Sequence, residues 1–297
     1  MADAYVAQKI AAVLPPPAFS DIAKSSNDLI NKDFYHAAAA QLEVKLKAPN
    51  GVNFTAKGTS AHDGPVSSSL EGKKSLSNGI SITQSWNTAN LLATKVELND
   101  TLASGLKTEI LNNFKPDAGN QGQKVNFFFK QNNFHGRVFG DLKASGAVSA
   151  IADAVLSHEG FLVGGEVGYD VQKAAITKYS AAVGYTTPIY NAAITATNSL
   201  SVFSAAYYQK VNTAVEAGAR ATWDSKAQGA VGLELAAKYK IDPASFAKAK
   251  INNLGIASLA YNTKVNSGLT FGVGGSFDTQ KLNESGHKLG TSFTFEG

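Results

Sequence analysis

The clearest chemical pattern in this chain is a set of basic side chains that recur at alternate positions of short segments. Seven of them are expected to share one polar surface: Lys45, Lys47, Lys95, Arg220, Lys238, Lys248 and Lys250. Acidic residues in the same segments are fewer. A positive excess along a narrow aqueous path concentrates anions and depletes cations. The set therefore predicts weak anion selectivity, although any one lysine taken alone is better explained as an ordinary solvated side chain.

Patterns for catalysis or metal binding are missing from the sequence. The five histidines occur singly, and none has the partner spacing of a metal-binding pair. The chain contains no cysteine, which excludes a disulfide framework, a cysteine nucleophile and zinc–thiolate sites. GxSxG, GxGxxG and P-loop spacings do not occur either. We therefore expect no catalytic residue, no metal and no resident cofactor, and a protein that is not an enzyme.

The overall charge is mildly basic. Lys and Arg number 27 against 23 Asp and Glu, which gives a net charge of +4 and a pI near 9.0. This is far from the concentrated basic stripes of nucleic-acid-binding proteins, so no nucleic-acid partner is expected. No apolar run reaches 18 residues, which excludes α-helical membrane spans. The strands of a membrane β-barrel are only half apolar and escape that test.

One amphipathic helix is predicted over residues 18 to 31, directly after three prolines. Apolar residues recur there at intervals of three and four, as at Phe19, Ile22, Leu29 and Ile30. The opposite face carries four charged residues: Asp21, Lys24, Asp28 and Lys32. Such a face lies in solvent in most proteins, and in a pore it would lie in the water-filled lumen. We divide the chain into an N-terminal extension (1–17), the helix and a linker in the lumen (18–36), and a β domain (37–297).

Apolar and polar residues alternate along the β domain. In residues 231–239 the odd positions are Val, Leu, Leu, Ala and Tyr, and the even positions are Gly, Glu, Ala and Lys. Turn signals such as Asn78-Gly79 separate the alternating segments and favour antiparallel hairpins. At roughly 13 to 14 residues per strand and turn, the domain holds about nineteen strands. A sheet of that size must close into a barrel to protect its edges.

The size of the barrel decides whether the polar or the apolar face points inward. An interior bounded by about nineteen strands is too wide for side chains to fill, so the polar face should line a channel and the apolar face should meet lipid. Aromatic residues near strand ends resemble the belts at membrane interfaces: Trp86, Trp223, Tyr239, Tyr261 and Phe295. The alternative is a soluble ligand-binding β-barrel, which would not need detergent.

Several short stretches resemble the mitochondrial porins, the voltage-dependent anion channel family, in its fungal form. They occur in the family's order along nearly the whole chain: 18–24 (AFSDIAK), 85–88 (SWNT), 105–107 (GLK), 158–160 (HEG), 208–212 (YQKVN), 237–243 (AKYKIDP) and 287–290 (HKLG). The C-terminal strand is also similar to the signal by which mitochondrial outer-membrane barrels are inserted, through Lys288, Gly290, Phe293 and Phe295. A protein-import channel of the same superfamily is a second alternative, which should lack the GLK and HKLG stretches.

The resemblance implies an all-β transmembrane barrel of nineteen strands, with the first and last strands parallel and the N-terminal helix inside the pore. It implies a voltage-gated channel of the mitochondrial outer membrane that passes ATP, ADP, phosphate and NADH as transient permeants. Membrane lipid and the barrel-insertion machinery are the expected partners, and homo-oligomers are compatible with this architecture.

The resemblance also assigns roles to particular residues. Lys24 and Lys32, flanked by Asp21 and Asp28, match the helix positions that the family offers to nucleotide phosphates. A further contact with NADH falls on two short stretches: Ile256, Ala257, Ser258, Gly274, Gly275, Ser276, Phe277 and Asp278.

Overall fold

A computed structural model of the protein describes residues 15–227, 229–284 and 286–297. Most of the predicted N-terminal extension, residues 1–14, therefore lies outside the described residues. Nineteen strands form one sheet. They are β1 (Ala40–Lys47), β2 (Val52–Ser60), β3 (Val66–Ser75), β4 (Ile80–Asn87), β5 (Leu92–Asn99), β6 (Leu106–Lys115), β7 (Gly119–Gln131), β8 (Phe134–Lys143), β9 (Val148–His158), β10 (Phe161–Asp170), β11 (Ala175–Thr186), β12 (Tyr190–Thr197), β13 (Val202–Lys210), β14 (Val215–Asp224), β15 (Gly232–Lys240), β16 (Ser245–Asn252), β17 (Ile256–Asn266), β18 (Leu269–Asp278) and β19 (Lys288–Glu296).

The sheet closes on itself. Each strand pairs antiparallel with the next along the chain, and β1 pairs in parallel with β19 from Ala40↔Thr291 to Lys45↔Glu296. An odd number of strands requires one parallel pair, because a ring of strictly alternating directions needs an even number. The predicted nineteen-stranded barrel with parallel first and last strands is thus confirmed.

Tight turns connect the strands where the sequence has turn residues. Between β3 and β4, Asn78 and Gly79 both adopt positive φ, at 65° and 76°. Two successive residues of this kind form the turn whose twist suits a hairpin, and Asn-Gly is its preferred sequence.

The alternation of side chains gives the barrel two different faces. On β15, Leu233 and Leu235 are about half-exposed on the outer face, at 49% and 57%. Glu234 on the same strand pairs with Arg220, which in turn contacts the N-terminal segment. The charged face is therefore the one on which the N-terminal segment lies, and the apolar face points away from it. This is the inside-out arrangement of a membrane barrel.

The N-terminal segment lies inside the barrel and is not one continuous helix. It consists of a 3₁₀ turn (Phe19–Asp21), helix α1 (Lys24–Asn31) and a second 3₁₀ turn (Tyr35–Ala37). The predicted helix over residues 18 to 31 was wrong over residues 18–23, since α1 begins at Lys24. Asn191 of the wall donates a hydrogen bond of 3.2 Å to the Ile22 carbonyl, so the wall takes an acceptor that a longer helix would use. No helix in the described part of the chain is both long and apolar enough to cross a membrane.

Candidate functional site: the barrel lumen

Small residues line the part of the lumenal wall that the N-terminal segment covers. We call the lumenal face of β8 to β19 the covered wall. Phe19 and Ile22 pack against alanines of β11, β12 and β13, and Leu29 and Ile30 pack against Ala236 of β15. A Cβ added at Gly218 would lie 3.0 Å from a methyl group of Leu29. The small side chains of the covered wall therefore leave a shallow trough in which the N-terminal segment packs closely, and larger side chains would fill that space.

Hydrogen bonds fix the first half of the segment to the covered wall. The Arg137 guanidinium donates to Ser20 at 3.3 Å and is itself held by two bonds to Asp153, at 2.9 and 2.8 Å. The Ser26 hydroxyl donates to the Ala219 carbonyl at 3.2 Å. Arg220, paired with Glu234, donates to the Asn27 side chain at 2.9 Å. Arg220, a predicted selectivity residue, thus contacts the segment directly.

Two more predicted selectivity residues lie beneath the end of α1. Lys248 is only 3% exposed, and its ammonium donates to the carbonyls of Asp28 and Lys32 at 3.3 and 2.6 Å. Lys250 donates to the Ile30 carbonyl at 3.1 Å. Both ammonium groups hold backbone oxygens of the segment; Lys248 is buried and Lys250 is half-buried.

The four charged residues of the segment form a chain of ion pairs on its exposed side. Lys24 lies 3.8 Å from Asp21 and 3.6 Å from Asp28, and Lys32 lies 2.9 Å from Asp28. The side chains of Lys24 and Lys32 remain 53% and 59% exposed. The hydrogen bond to Asp28 raises the pKa of Lys32, so this ammonium stays charged at neutral pH. The structure brings these residues together and leaves both ammonium groups accessible to a solute.

A cavity of about 260 Å³ separates the exposed side of α1 from the wall. Lys32 and Asp28 line it on the helix side, and Lys238 and Glu216 line it on the wall side. The Lys238 ammonium lies 4.2 Å from the centre of the Phe246 ring, a cation–π contact. Lys238 thus joins Lys32 at one site, whereas Lys24 does not line this cavity.

The remaining part of the lumen has a different lining. We call the lumenal face of β3 to β7 the bare wall, because no hydrogen bond or ion pair joins it to residues 15–37. Glu97 lies at its centre and is 5% exposed at the side chain. Its carboxylate accepts hydrogen bonds from Lys73 and Lys107, both at 2.9 Å, and pairs with Lys95 at 3.2 Å. Ser81 donates a further bond at 2.9 Å.

Sequence reasoning found only part of this cluster. Lys95 was predicted, whereas the roles of Lys73 and Lys107 were missed, although each occupies a lumenal position in its strand. The pairing registers of β3 to β6 are the missing information, because each strand viewed alone shows a single lysine on its lumenal face near this level and does not show that the three converge on Glu97.

The other two predicted lumenal lysines lie on β1. Lys45 lies 3.0 Å from Glu296 of β19 and 3.7 Å from Glu43. Lys47 is two positions further along the same strand and so shares its face. These two residues lie near the parallel β1–β19 pair, away from both α1 and the Glu97 cluster.

The two stretches matched to an NADH contact lie side by side on β17 and β18. The register places Ser258 opposite Ser276 and Ile256 opposite Asp278. Alternation divides the eight positions between the two faces, and Ile256, Ser258, Gly274, Ser276 and Asp278 share the lumenal one. Gly274 lies directly under the backbone of Tyr35, so the segment covers it.

The residues matched to the insertion signal are divided in the same way. Phe293 and Phe295 of β19 are on the outer face, at 38% and 41% exposure. Lys288 and Gly290 are on the lumenal face, and the carbonyls of Tyr35 and Ala38 press against Gly290.

Among the described residues no group of histidine and carboxylate side chains could hold a metal ion.

A closed barrel with an apolar outer face and a charged inner face is the architecture of a membrane-spanning pore. The family model of the eukaryotic porins matches residues 15–290. The chain belongs to the eukaryotic porin family.

Curated relatives match over nearly their whole length. The chain is 60% identical to the mitochondrial outer membrane protein porin of Neurospora crassa, over 94% of this chain and 99% of the relative. It is 47% identical to the protein of the same name from Candida albicans, over 95% and 99%. It is 36% identical to the non-selective voltage-gated ion channel 1 of Saccharomyces cerevisiae, over 95% and 100%. Among solved structures, a mutant of the Rh. blastica porin aligns with a TM-score of 0.51 at 11% identity, over 76% of this chain and 89% of that one, which concerns the fold alone.

Proposed function

We propose that this chain forms a voltage-gated, weakly anion-selective diffusion channel in the mitochondrial outer membrane. The observation that carries the proposal is the lumen itself, in which lysines and arginines outnumber carboxylates on a continuous polar face inside an apolar barrel. The names of the relatives, mitochondrial outer membrane porin and voltage-gated ion channel, agree with it. Channels need no covalent chemistry, so this proposal assigns no catalytic residue and no enzyme activity.

We further propose that small anionic metabolites such as ATP, ADP, phosphate and NADH are transient occupants of the lumen. Lys24 and Lys32 extend into the water path, and Lys238 faces Lys32 across the cavity. Lysine suits this task because its ammonium is a compact charge on a flexible stem that can follow a moving phosphate. The occupants would be permeants and not resident cofactors.

Voltage dependence follows from moving lumenal charges. Moving one elementary charge through the whole membrane field changes the free energy by roughly 2.3 kcal/mol per 100 mV. The N-terminal segment carries Asp21, Lys24, Asp28 and Lys32 on its exposed side, and its rearrangement would move these charges within the field. Lipid, the barrel-insertion machinery and further copies of the chain remain proposed partners.

The test is electrical. Refolded protein in a planar bilayer should give large conductance steps that close at both polarities, with a reversal potential in a KCl gradient that indicates chloride preference. The double variant Lys24→Glu, Lys32→Glu should move the reversal potential toward potassium, because four elementary charges change in the lumen. The control Lys173→Glu, Lys226→Glu makes the same charge change in turns outside the strands. Equal shifts in the two variants would remove the helix lysines from the selectivity role, and the absence of any channel would overturn the proposed function.

A further inference from the structure

Apart from the ion pairs of Asp28 with Lys24 and Lys32, helix α1 has little local stabilisation of its own. It has eight residues, its N-cap residue is Ala23 without a side-chain hydrogen bond, and its last turn contains no basic residue. Helices shorter than about 12 residues are marginal in water. The helix must therefore obtain its stability from the barrel wall.

The wall contributes its most specific contacts at the end of the helix. The last carbonyls of a helix have no intrahelical partner and carry a partial negative charge. Lys250 donates to the Ile30 carbonyl and Lys248 to the Lys32 carbonyl, at 3.1 and 2.6 Å. Lys248 also reaches the Asp28 carbonyl, which already accepts the Lys32 backbone N–H. Two wall ammonium groups thus act as a helix C-cap supplied by another part of the chain.

The surroundings of both lysines favour this role over that of free charges. The Phe34 ring, directly after the helix, has the Lys248 and Lys250 ammonium groups 5.0 and 4.6 Å from its centre. Asp33 lies 3.7 Å from Lys248. Among the described residues, every hydrogen bond and ion pair of Lys248 is therefore made to the N-terminal segment. Loss of the segment would leave this ammonium without its partners.

We propose that Lys248 and Lys250 are positioning residues that cap α1 and hold the N-terminal segment in the trough of the covered wall. Without them the helix end and the segment separate from the wall together, because the short helix does not persist alone. The docked segment in turn occupies these two ammonium groups with its own carbonyl oxygens. Their assigned role is to set the position of the helix and not to attract permeant anions.

Ser26 offers a direct measure of docking. Its side chain is 0% exposed and its hydroxyl bonds to Ala219 of the wall, so it is accessible only when the helix leaves. The chain has no cysteine, so Ser26→Cys introduces a single reactive thiol. A charged methanethiosulfonate reagent should modify this thiol slowly in the docked protein.

The experiment compares labelling rates in the refolded full-length protein. In the Lys248→Met, Lys250→Met background we expect the Ser26→Cys thiol to react at least ten-fold faster. The matched background Lys45→Met, Lys95→Met removes two lumenal lysines that do not touch the helix and should leave the rate unchanged. Equal rates in the two backgrounds would overturn the proposal.

Two further measurements keep the result interpretable. Thr83→Cys places a buried thiol on β4, and it should stay protected in every background if the barrel is intact. If the Lys248→Met, Lys250→Met background exposes the thiol at position 83, the milder variant Lys250→Gln is tested instead. Faster labelling at position 26, with position 83 still protected, would support the proposal. An unchanged labelling rate at position 26 would overturn it. The electrical readout rests on the proposed channel function: the Lys248→Met, Lys250→Met variant should close at lower voltage than the Lys45→Met, Lys95→Met variant. Labelling needs no conductance, so failure of the proposed channel function and failure of the proposed helix cap are distinguishable.

Discussion

The covered wall and the bare wall follow the same strand pattern and have opposite chemistry. On the covered wall the lumenal positions are glycine and alanine over much of the area, and several of its basic residues, among them Arg220, Lys248 and Lys250, bond to the N-terminal segment. On the bare wall the lumenal positions carry lysines gathered around Glu97. The covered wall binds a segment of its own chain, and the bare wall stays in contact with water.

This difference changes how lumenal charge should be counted. A lysine contributes to the field along the water path only to the extent that it is not neutralised or buried. Lys248 is buried under the helix, whereas Lys95 on the bare wall is one of three ammonium groups that share a single carboxylate. Selectivity should therefore depend chiefly on the bare wall and on the exposed helix lysines.

The largest effect is expected from filling the trough. Gly218→Leu places a side chain where the Cβ alone already meets Leu29 and the Tyr207 carbonyl at 3.0 Å. Overpacking of this kind costs about 1–3 kcal/mol, and the helix can relieve it by leaving the wall. Trypsin is too large to enter the pore, so cleavage after Lys24 or Lys32 in native protein would report the segment outside the lumen. We expect cleavage in the variant and little in the parent.

The matched control enlarges a lumenal side chain on the bare wall. Ser85→Leu lies on β4, where the segment makes no hydrogen bond or ion pair among the described residues. It should leave the cleavage pattern of the parent. If both variants expose the segment to trypsin equally, the distinction between the two walls is wrong.

An intermediate effect is expected from the centre of the bare wall. Glu97→Gln removes the one carboxylate that Lys73, Lys95 and Lys107 share, so their ammonium groups repel one another and turn toward the water path. The reversal potential in a KCl gradient should move toward chloride by a few millivolts. Single-channel recording under the same gradient measures it.

Glu71→Gln is the control that distinguishes the effect of the lysine cluster around Glu97 from the effect of removing one negative charge. Glu71 lies on the same lumenal face of β3 and is exposed. It loses the same formal charge without releasing three lysines, so its shift should be smaller. A shift at Glu71 equal to or larger than that at Glu97 would show that the lysine cluster has no special influence on selectivity.

Much of the fold could be predicted from the sequence because strand alternation is a local property. The polar and apolar faces of β15 are evident from residues 231–239 alone, and the strand count follows from segment length. The break in the N-terminal helix could not be predicted, because its cause is Asn191, which is 169 residues away from Ile22 in sequence. Local periodicity carries no information about such a contact.

The sequence was sufficient to predict which side chains line the lumen, but not which of them contact the N-terminal segment. Alternation placed Lys248 and Lys250 on the polar face correctly, but it could not show that α1 covers them. A signal was present in the lumenal positions of β10 to β14, where Gly164, Ala182, Ala206 and Gly218 replace the charges found elsewhere. A polar face that turns to small residues over several strands indicates that another part of the chain packs there.

The smallest effect is expected from a single exposed hydrogen bond at the start of the segment. Ser20→Ala removes the 3.3 Å bond from Arg137, whose guanidinium keeps both bonds to Asp153. A long, partly exposed bond lies at the lower end of the usual range, about 0.5 kcal/mol, or roughly a two-fold change in the docked-to-undocked ratio. Thiol labelling of Ser26→Cys should accelerate by that factor.

Ser81→Ala is the control, because it removes a shorter bond of 2.9 Å on the bare wall and should not change the labelling rate. Acceleration by Ser81→Ala would mean that the bare wall also holds the segment in place, and the covered wall and the bare wall could then no longer be treated as independent.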